Sequence, residues 1–406
     1  MSRTDDTPKQ RDTQPDTPEL VDLDELAQLV SAASEGSSDA ADRSPMPRPR
    51  RGRRRTLAVV LTLLATVGAT VVLVVLPSGS TAAPAHTTEP LPPPPPAPAS
   101  APAGVVVKTD APDPFVYVGR SRDYFYSAGV GYDVSPHVQV IPFHDLRTLA
   151  SDGPATDAMP QLPAWSTGWI WSVDVSRSGG RYVMWFTSQA KDEYMPNGVL
   201  AKCIGEAIAS SPLGPFVPRP EPAICQQWGS IDPQTFVDSN GSRWLIWKAD
   251  LNSDILAHVP TTIWSQRLSS DGQTLVGSPT QIAVASQPWE NKLIEAPQLV
   301  EHDGRYYLFF SGNASNNPAS GIGVADCAGP RGPCTDSRTA PLISTNSQGP
   351  GPGEESTFTD GGALWMIYSP NAVFGSYTYR PVAVARIGFG SAGPYIGQFA
   401  GAVPGH

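Results

Sequence analysis

A motif that recurs five times at nearly constant intervals constrains this chain more than any other feature. Each copy contains a short apolar strand, a turn with Gly or Asp, and a second strand rich in aromatic residues. The copies begin at Asp113, Trp171, Asp232, Glu295 and Glu354, so their starts are 58, 61, 63 and 59 residues apart. A period near 60 residues with about four strands per unit is typical of propeller blades. The sequence therefore predicts an all-β, five-bladed β-propeller, and a β-sandwich of similar hairpins is the alternative.

The turns within the repeats predict β-hairpins. Asn240-Gly241, Asp303-Gly304 and Gly179-Gly180 each separate two runs of alternating apolar residues. Such dipeptides adopt the positive φ angles that tight hairpin turns require. The repeats therefore predict a domain of hairpins over residues 105–406.

An uncharged segment at residues 57–76 predicts a membrane helix. Its 20 residues would span roughly 30 Å as a helix, the thickness of the hydrocarbon core. Arginines crowd residues 48–55 just before it, which places the preceding part of the chain inside the cell. The sequence therefore predicts four parts: a disordered cytoplasmic tail (1–55), a transmembrane signal-anchor (56–76), a Pro/Ala-rich linker (77–104) and an extracytoplasmic propeller (105–406). A cleaved signal peptide is the alternative to a single-pass anchor in the cell membrane.

Cysteine positions and net charge indicate in which compartment the domain folds and which partners it can bind. All four cysteines follow the membrane segment, which favours disulfides in an oxidising compartment. Of the three possible pairings we predict the local one, which joins Cys203 to Cys225 and Cys327 to Cys334. A zinc site is the alternative, although the closely spaced ligand pairs of such sites are missing. The net charge of −10 argues against a nucleic-acid partner.

The first residues of the repeats predict an active site. In a propeller the innermost strand of each blade begins beside the central axis, so residues at equivalent starts meet at one mouth of the channel. Four of the five starts are carboxylates, namely Asp113, Asp232, Glu295 and Glu354. Acids gathered in this way raise one another's pKa, an arrangement found more often at functional sites than in turns. The alternative, turn acids on solvated loops, fits one isolated acid better than a recurring position.

The ordered set of motifs resembles glycoside hydrolase family 43, the five-bladed propeller family of arabinofuranosidases, arabinanases and xylosidases. The resemblance covers residues 105–395. The motifs that carry it, in chain order, are Asp113-Pro114, Leu162-Pro163-Ala164-Trp165, Trp171-Ser172-Val173-Asp174-Val175, Ile231-Asp232-Pro233, Trp289-Glu290, Ile294-Glu295-Ala296-Pro297, Gly349-Pro350-Gly351-Pro352-Gly353 and Tyr379-Arg380-Pro381.

The resemblance implies a role for each of three carboxylates. Asp113 would be the general base that activates water, Glu295 the general acid, and Asp232 the group that tunes and orients the acid. Inversion requires the acid and the base on opposite faces of the sugar, with room between them for water. The resemblance also places Arg380 near the site, in contact with substrate or with Asp232, and a surface arginine is the alternative.

Aromatic residues predict a sugar platform. Trp171 starts its repeat where the other repeats carry acids, so its ring is expected to face the same pocket. Trp289, Trp165 and Trp169 are weaker candidates, since packing inside a blade explains them equally well.

Two departures from the family pattern leave questions open. Trp171-Ser172-Val173 stands where many members have Trp-Ala-Pro. Glu354 stands where many arabinan-cleaving members carry a histidine that helps to hold an axial metal ion. No cofactor is required by the resemblance, and a structural Ca²⁺ at the propeller axis stays open, because a carboxylate can bind a hard cation.

The predicted function is an inverting glycoside hydrolase that acts on arabinofuranosyl or xylosyl linkages of carbohydrates at the cell envelope. A non-catalytic carbohydrate-binding propeller is the first alternative, and it predicts that one of the three acids is displaced or paired with a cation. A retaining glycosidase is the second, with its two catalytic carboxyl groups about 5–5.5 Å apart.

Overall fold

The computed structural model describes the residue ranges 105–107, 111–128, 136–144, 154–251, 259–346, 348–370, 372–374 and 377–399. The predicted tail (1–55), membrane segment (56–76) and linker (77–104) lie outside these ranges. Within the ranges, no helix combines the length and the apolar character needed to cross a membrane.

Antiparallel sheets of four or five strands build the described domain, and a two-stranded sheet accompanies them. The first strand of the chain, β1 (Val105–Val107), joins the last of these sheets. The first blade contains β2 (Phe115–Tyr117), β3 (Asp123–Ala128), β4 (Val138–Phe143) and β5 (Thr156–Asp157). The second contains β6 (Ser166–Ser178), β7 (Arg181–Tyr194), β8 (Leu200–Ala209) and β9 (Val217–Pro218).

The remaining blades repeat this order. The third contains β10 (Ser230–Val237), β11 (Arg243–Ala249), β12 (Thr262–Leu268) and β13 (Leu275–Val284). A 3₁₀ turn (Pro288–Glu290) leads to the fourth, which contains β14 (Ile294–His302), β15 (Arg305–Gly312), β16 (Gly321–Cys327) and β17 (Cys334–Asp336). The fifth contains β18 (Gly353–Asp360), β19 (Ala363–Ser369), β22 (Val382–Gly390) and β23 (Gly393–Phe399), with the hairpin of β20 (Ala372–Phe374) and β21 (Tyr377–Tyr379) inserted before β22.

Turn chemistry sets the register of the hairpins. Gly179-Gly180 joins β6 to β7 and Asp303-Gly304 joins β14 to β15, each as a two-residue loop. All four residues have positive φ, between 50° and 80°, which matches the twist of the flanking strands. The hairpins predicted from these dipeptides are confirmed.

Hydrophobic clusters between neighbouring blades close the ring. Each of the five largest clusters combines residues from two adjacent blades, and together they connect blades 1–2, 2–3, 3–4, 4–5 and 5–1. Alternation along β7 shows the cause: Trp185 packs toward the third blade, whereas Met184 and Phe186 pack toward the first. Because side chains alternate across a strand, each sheet buries both faces. The five-bladed propeller is confirmed.

The first strand and the last blade join the two ends of the domain. Val105 of β1 pairs with Ala383 of β22, so the last blade takes its additional strand from the beginning of the domain. The sequence did not predict this closure.

Two disulfides confirm the local pairing. Cys203 of β8 is bonded to Cys225, and Cys327 of β16 to its cross-strand neighbour Cys334 of β17. Cys203 lies on the third strand of its blade, and Cys327 and Cys334 lie on the third and fourth strands of theirs.

Candidate active site

In every blade one non-glycine residue with left-handed backbone lies within the innermost strand or just before it. The residues, with their φ angles, are Asp113 (50°), Ser172 (24°), Asp232 (57°), Ala296 (49°) and Glu354 (53°). In blades two to five the strand ladder shifts register at this residue, as in a β-bulge. Bulges and strained φ angles re-aim side chains and cluster at functional sites. Trp171 and Glu295 therefore lie one residue before the position that Asp113, Asp232 and Glu354 occupy.

Asp113 is buried and held by a cation. One carboxylate oxygen, Oδ1, lies 3.3 Å from Nη1 of Arg380, and Oδ2 accepts a hydrogen bond from the backbone N–H of Ser172 at 3.1 Å. Burial raises the pKa of Asp113, and Arg380 and Ser172 oppose that rise. The family resemblance predicts that Arg380 contacts substrate or Asp232. In the structure its ion pair is with Asp113 instead.

Asp232 has both carboxylate oxygens engaged by protein donors. Its Oδ1 accepts from the Ser172 hydroxyl at 2.7 Å, and Oδ2 accepts from the backbone N–H of Ala296 at 3.0 Å. Burial, opposed by Lys248 and assisted by Glu295 and Asp113, raises the pKa of Asp232 to about 6. Asp232 therefore bonds both to Ala296, which follows Glu295 in the chain, and to Ser172, which also donates to Asp113.

Glu295 is held through one oxygen only. Its Oε2 accepts from Nζ of Lys248 at 2.7 Å, and the same ammonium lies 3.4 Å from Oδ1 of Asp250. Within the described part of the chain, Oε1 of Glu295 accepts no hydrogen bond. Burial would lower the pKa of Lys248, but Glu295, Asp250 and Asp232 raise it above its ordinary value, so Lys248 is a buried cation.

Glu354 belongs to the same group of acids. Burial and the charges of Glu295, Asp113 and Asp232 raise the pKa of Glu354 well above its ordinary value. Its neighbour Glu355, which the sequence analysis did not single out, is buried, accepts from the Ser311 hydroxyl, and has a pKa raised by burial to about 8. The acids of four blades therefore influence one another, as the repeat predicts.

Small cavities border the acids. One of about 30 Å³ is lined by Asp113, Ser172, Asp232 and Glu355, among others. That volume accommodates a water molecule, and the carboxylates supply its polar partners. A second, smaller cavity is bordered by Glu295 and Glu354. A water-sized space thus adjoins Asp113.

The donor set does not form a metal centre. Within the described ranges, no group of three or more His, Cys, Asp or Glu side chains is arranged to hold a metal ion. Glu354 offers a hard carboxylate where the family resemblance implies a histidine, but it has no such partners. We therefore derive no step through a metal, and the Ca²⁺ stays an open question.

The candidate aromatic residues fall into two environments. Trp171 stacks on Trp169, with ring centroids 5.1 Å apart and planes 8° apart, and Nζ of Lys202 lies 5.4 Å from the Trp171 ring. By contrast, Trp165 stacks on Phe186 and Trp289 on Phe310, within the blade cores.

The two core tryptophans repeat one packing unit. A side-chain carbon at Gly205 would lie 2.8 Å from the Trp165 ring, and one at Gly323 would lie 2.9 Å from the Trp289 ring. Each glycine thus lies against both the tryptophan and the phenylalanine ring of its own blade. The structure places Trp289 in this core and gives it no contact with the three acids, so its substrate-binding role stays a prediction.

Ser172 offers a direct test of the electrostatics. Ser172→Ala removes the hydroxyl that donates to Asp232 and lowers the pKa of that residue, so the pKa should rise above about 6, by up to about one unit for one hydrogen bond. Carbon-13 NMR titration of the carboxyl carbon measures it. Ser176→Ala on the same strand is the control, because its hydroxyl has no partner among the described residues. An unchanged titration in Ser172→Ala would contradict the assigned hydrogen bond.

The arrangement can perform acid–base chemistry. Three carboxylates lie in three different environments: one paired with a cation beside a cavity, one fully engaged, and one with a free oxygen. Such differences in environment separate the tasks of otherwise similar acids.

A protein-family model described as glycosyl hydrolases family 43 matches residues 103–392, most of the chain. Among curated proteins, xylosidase/arabinosidase 43A of Humicola insolens is 29% identical over 135 residues, which cover 32% of this chain and 38% of that protein. The extracellular exo-α-(1→5)-L-arabinofuranosidase of Streptomyces avermitilis is 24% identical over 220 residues, which cover 50% of this chain and 41% of that protein. The match therefore spans less than half of either relative.

Solved structures share the fold. A thermostable family-43 glycoside hydrolase has a TM-score of 0.62 at 24% identity, covering 75% of this chain and 97% of that one. An α-L-arabinofuranosidase from Lactobacillus brevis has a TM-score of 0.62 at 16% identity, covering 74% and 97%.

Proposed function

The chain belongs to glycosyl hydrolases family 43, and from that premise we propose that it is a glycosidase that hydrolyses arabinofuranosyl or xylosyl linkages with inversion at the anomeric carbon. The observation that carries the proposal is that the three acids have different hydrogen-bond and ion-pair partners. Asp232 has both oxygens engaged, Asp113 is paired with Arg380 beside a water-sized cavity, and Glu295 keeps Oε1 free.

Each environment suits one task. Asp113, as an ionised carboxylate, takes a proton from water while that water oxygen bonds to the anomeric carbon. Glu295 gives its proton to the departing glycosidic oxygen as the carbon–oxygen bond breaks. The attack from the opposite face inverts the anomeric centre, and the protons balance with Asp113 protonated and Glu295 ionised. Asp232 accepts hydrogen bonds from Ser172 and Ala296, and so fixes the backbone beside the acid and the base.

The substrate class is proposed from the relatives. A curated relative is named xylosidase/arabinosidase and another exo-α-(1→5)-L-arabinofuranosidase. We place arabinofuranosyl linkages first and xylosyl linkages second. Trp171, which is half-buried and stacks on Trp169, is the proposed sugar platform. Attachment to the cell membrane through residues 56–76, and hence a substrate at the cell envelope, is part of the proposal and rests on the uncharged run and the disulfides.

The non-catalytic alternative predicts an acid paired with a cation, and two are: Asp113 with Arg380 and Glu295 with Lys248. This criterion therefore does not separate the two functions. Each of these pairs uses one oxygen of its acid, however, so the acids keep acceptor capacity for water and substrate.

A panel of aryl glycosides tests the function: arabinofuranosides of both series, a xyloside and a galactofuranoside, with arabinan and xylan oligosaccharides beside them. We expect hydrolysis of an arabinofuranoside or a xyloside, with proton NMR showing the inverted anomer first. The retained anomer would indicate a retaining glycosidase. Binding of oligosaccharides without any hydrolysis would support the non-catalytic propeller and overturn the proposal.

A further inference from the structure

A chain of buried charges connects Glu295 with the Trp171 ring. Nζ of Lys248 lies 2.7 Å from Oε2 of Glu295 and 3.4 Å from Oδ1 of Asp250. The other oxygen of Asp250, Oδ2, lies 2.8 Å from Nζ of Lys202. Lys202 in turn lies 5.4 Å from the centre of the Trp171 ring. Four charges of alternating sign thus link the proposed proton donor to the proposed sugar platform.

The chain crosses three blades. Lys248 lies on β11 of the third blade, opposite Ile231, which precedes Asp232. Glu295 begins the fourth blade, and Lys202 lies on β8 of the second. The side chains of Lys248 and Asp250 are each 1% exposed. A fully buried ammonium is costly unless it is paired and hydrogen-bonded, so a packing role alone would favour an apolar residue here.

We propose that Lys248 is a positioning residue for Glu295 and that Asp250 balances its charge, so that the orientation and proton affinity of the donor are set jointly with the sugar platform. The proposal rests on the proposed function and concerns residues to which that function gives no task. Lys248 fixes Oε2 of Glu295 by a charge-assisted hydrogen bond, and Oε1 is left to carry the proton.

The two charges act on Glu295 in opposite directions. The ammonium of Lys248 favours the carboxylate that forms once the proton has been given to the leaving oxygen, which stabilises the product side of proton transfer. Asp250 shares that ammonium and so moderates its attraction. Without Asp250 more of that charge would act on Glu295 and Asp232, which would favour the ionised form of the donor.

Asp250 also couples the donor to the platform. It is the one residue that contacts both Lys248 and Lys202 in this chain of charges. The Lys202 ammonium lies 5.4 Å from the centre of the Trp171 ring, so its position affects the surface that a bound sugar would contact. Loss of Asp250 should therefore affect substrate binding and proton donation together, whereas loss of Lys248 should affect mainly proton donation.

The test compares Lys248→Met, Lys248→Arg and Asp250→Asn by pH profiles of kcat and kcat/KM on the best substrate of the panel. In Lys248→Met the basic limb of kcat/KM should move to higher pH, and kcat should fall about 10-fold to 100-fold with KM nearly unchanged. In Asp250→Asn the limb should move to lower pH and KM should rise. Lys248→Arg retains the charge, so its limb should stay close to that of the wild type.

The exposed pair Arg305–Asp326 of the fourth blade, 3.6 Å apart, supplies matched controls. Arg305→Met and Asp326→Asn should leave both profiles unchanged, because exposed pairs contribute little and these lie outside the site. Thermal melting identifies any variant that fails to fold. If Lys248→Met does not fold, Lys248→Arg is compared with Asp250→Asn in its place.

Opposite shifts of the basic limb support the proposal, because a merely structural role would lower activity without moving the limb in two directions. The proposal is overturned when both variants shift the limb the same way, or when Lys248→Met retains the wild-type kcat and profile. A wild-type enzyme that hydrolyses nothing in the panel contradicts the proposed function instead, and the two failures are therefore distinct.

Discussion

Glu295→Gln is expected to lower kcat by about 10³-fold on a substrate with a poorly acidic leaving group. Glutamine keeps the shape of the side chain and can still accept the hydrogen bond from Lys248, but it has no proton to transfer to the departing oxygen. The loss should shrink strongly for an aryl glycoside whose phenol leaves without protonation. A series of aryl glycosides with leaving groups of graded acidity measures this, as the slope of log kcat against leaving-group acidity.

Glu301→Gln is the matched control, because Glu301 lies on the same strand, β14, and accepts a backbone hydrogen bond from Ser239 far from the acids. Its slope and kcat should match the wild type. If Glu295→Gln lost activity equally on all leaving groups, Glu295 would not be the proton donor. In that case another acid of the cluster, first Glu354, would need the same test.

The fold could be predicted because its signals are local. Turn dipeptides such as Gly179-Gly180 and alternating side chains along β7 act within a few residues, and their period near 60 repeats the same information five times. Both faces of each sheet are buried against neighbouring blades, so the alternation also determines the clusters that close the ring. The closing strand β1 has only three valines and no turn signal, which is why it was missed.

The site was predictable in part. The repeat located the acids, but not the bulges that place Ser172 and Ala296, rather than Trp171 and Glu295, at the position of Asp113. Apolar periodicity does not report the sign of φ at one residue. Lys248 lies near the end of β11 and Asp250 directly follows that strand, and only the packing of the blades shows that Lys248 contacts both Glu295 and Asp250.

A signal for the core tryptophans was present in the sequence. Trp165 precedes its stacking partner Phe186 by 21 residues, and Trp289 precedes Phe310 by the same 21. Equal spacing within two blades indicates a repeated packing unit. A ring at a ligand site has no reason to recur with its partner in this way, so the spacing favours the core for both residues.

Asp113→Asn is expected to lower kcat/KM by about 10³-fold, since an amide cannot take a proton from the attacking water. Burial raises the pKa of Asp113, so the wild-type acidic limb should lie above the range of a free aspartic acid. The sign follows from the role: the base must be ionised, and activity is lost as pH falls through that raised pKa. The limb should disappear in the variant, because the group that titrates there is gone. The pH profile of kcat/KM measures both effects.

Chemical rescue separates a missing base from a disturbed site. Asp113→Ala leaves space beside the cavity, and azide, which needs no base, should enter there and attack the anomeric carbon to give a glycosyl azide of inverted configuration. Asp123→Asn on β3 is the control, because this half-buried aspartate accepts a hydrogen bond only from Gly119 nearby and should need no rescue. Arg380 loses its ion pair with Asp113 in both variants, so thermal melting must accompany the assay. A folded Asp113→Ala that forms no glycosyl azide, or an Asp113→Asn that keeps the acidic limb, would remove Asp113 from the role of base. The water-sized cavity would then have to be served by Asp232, whose two oxygens are already engaged.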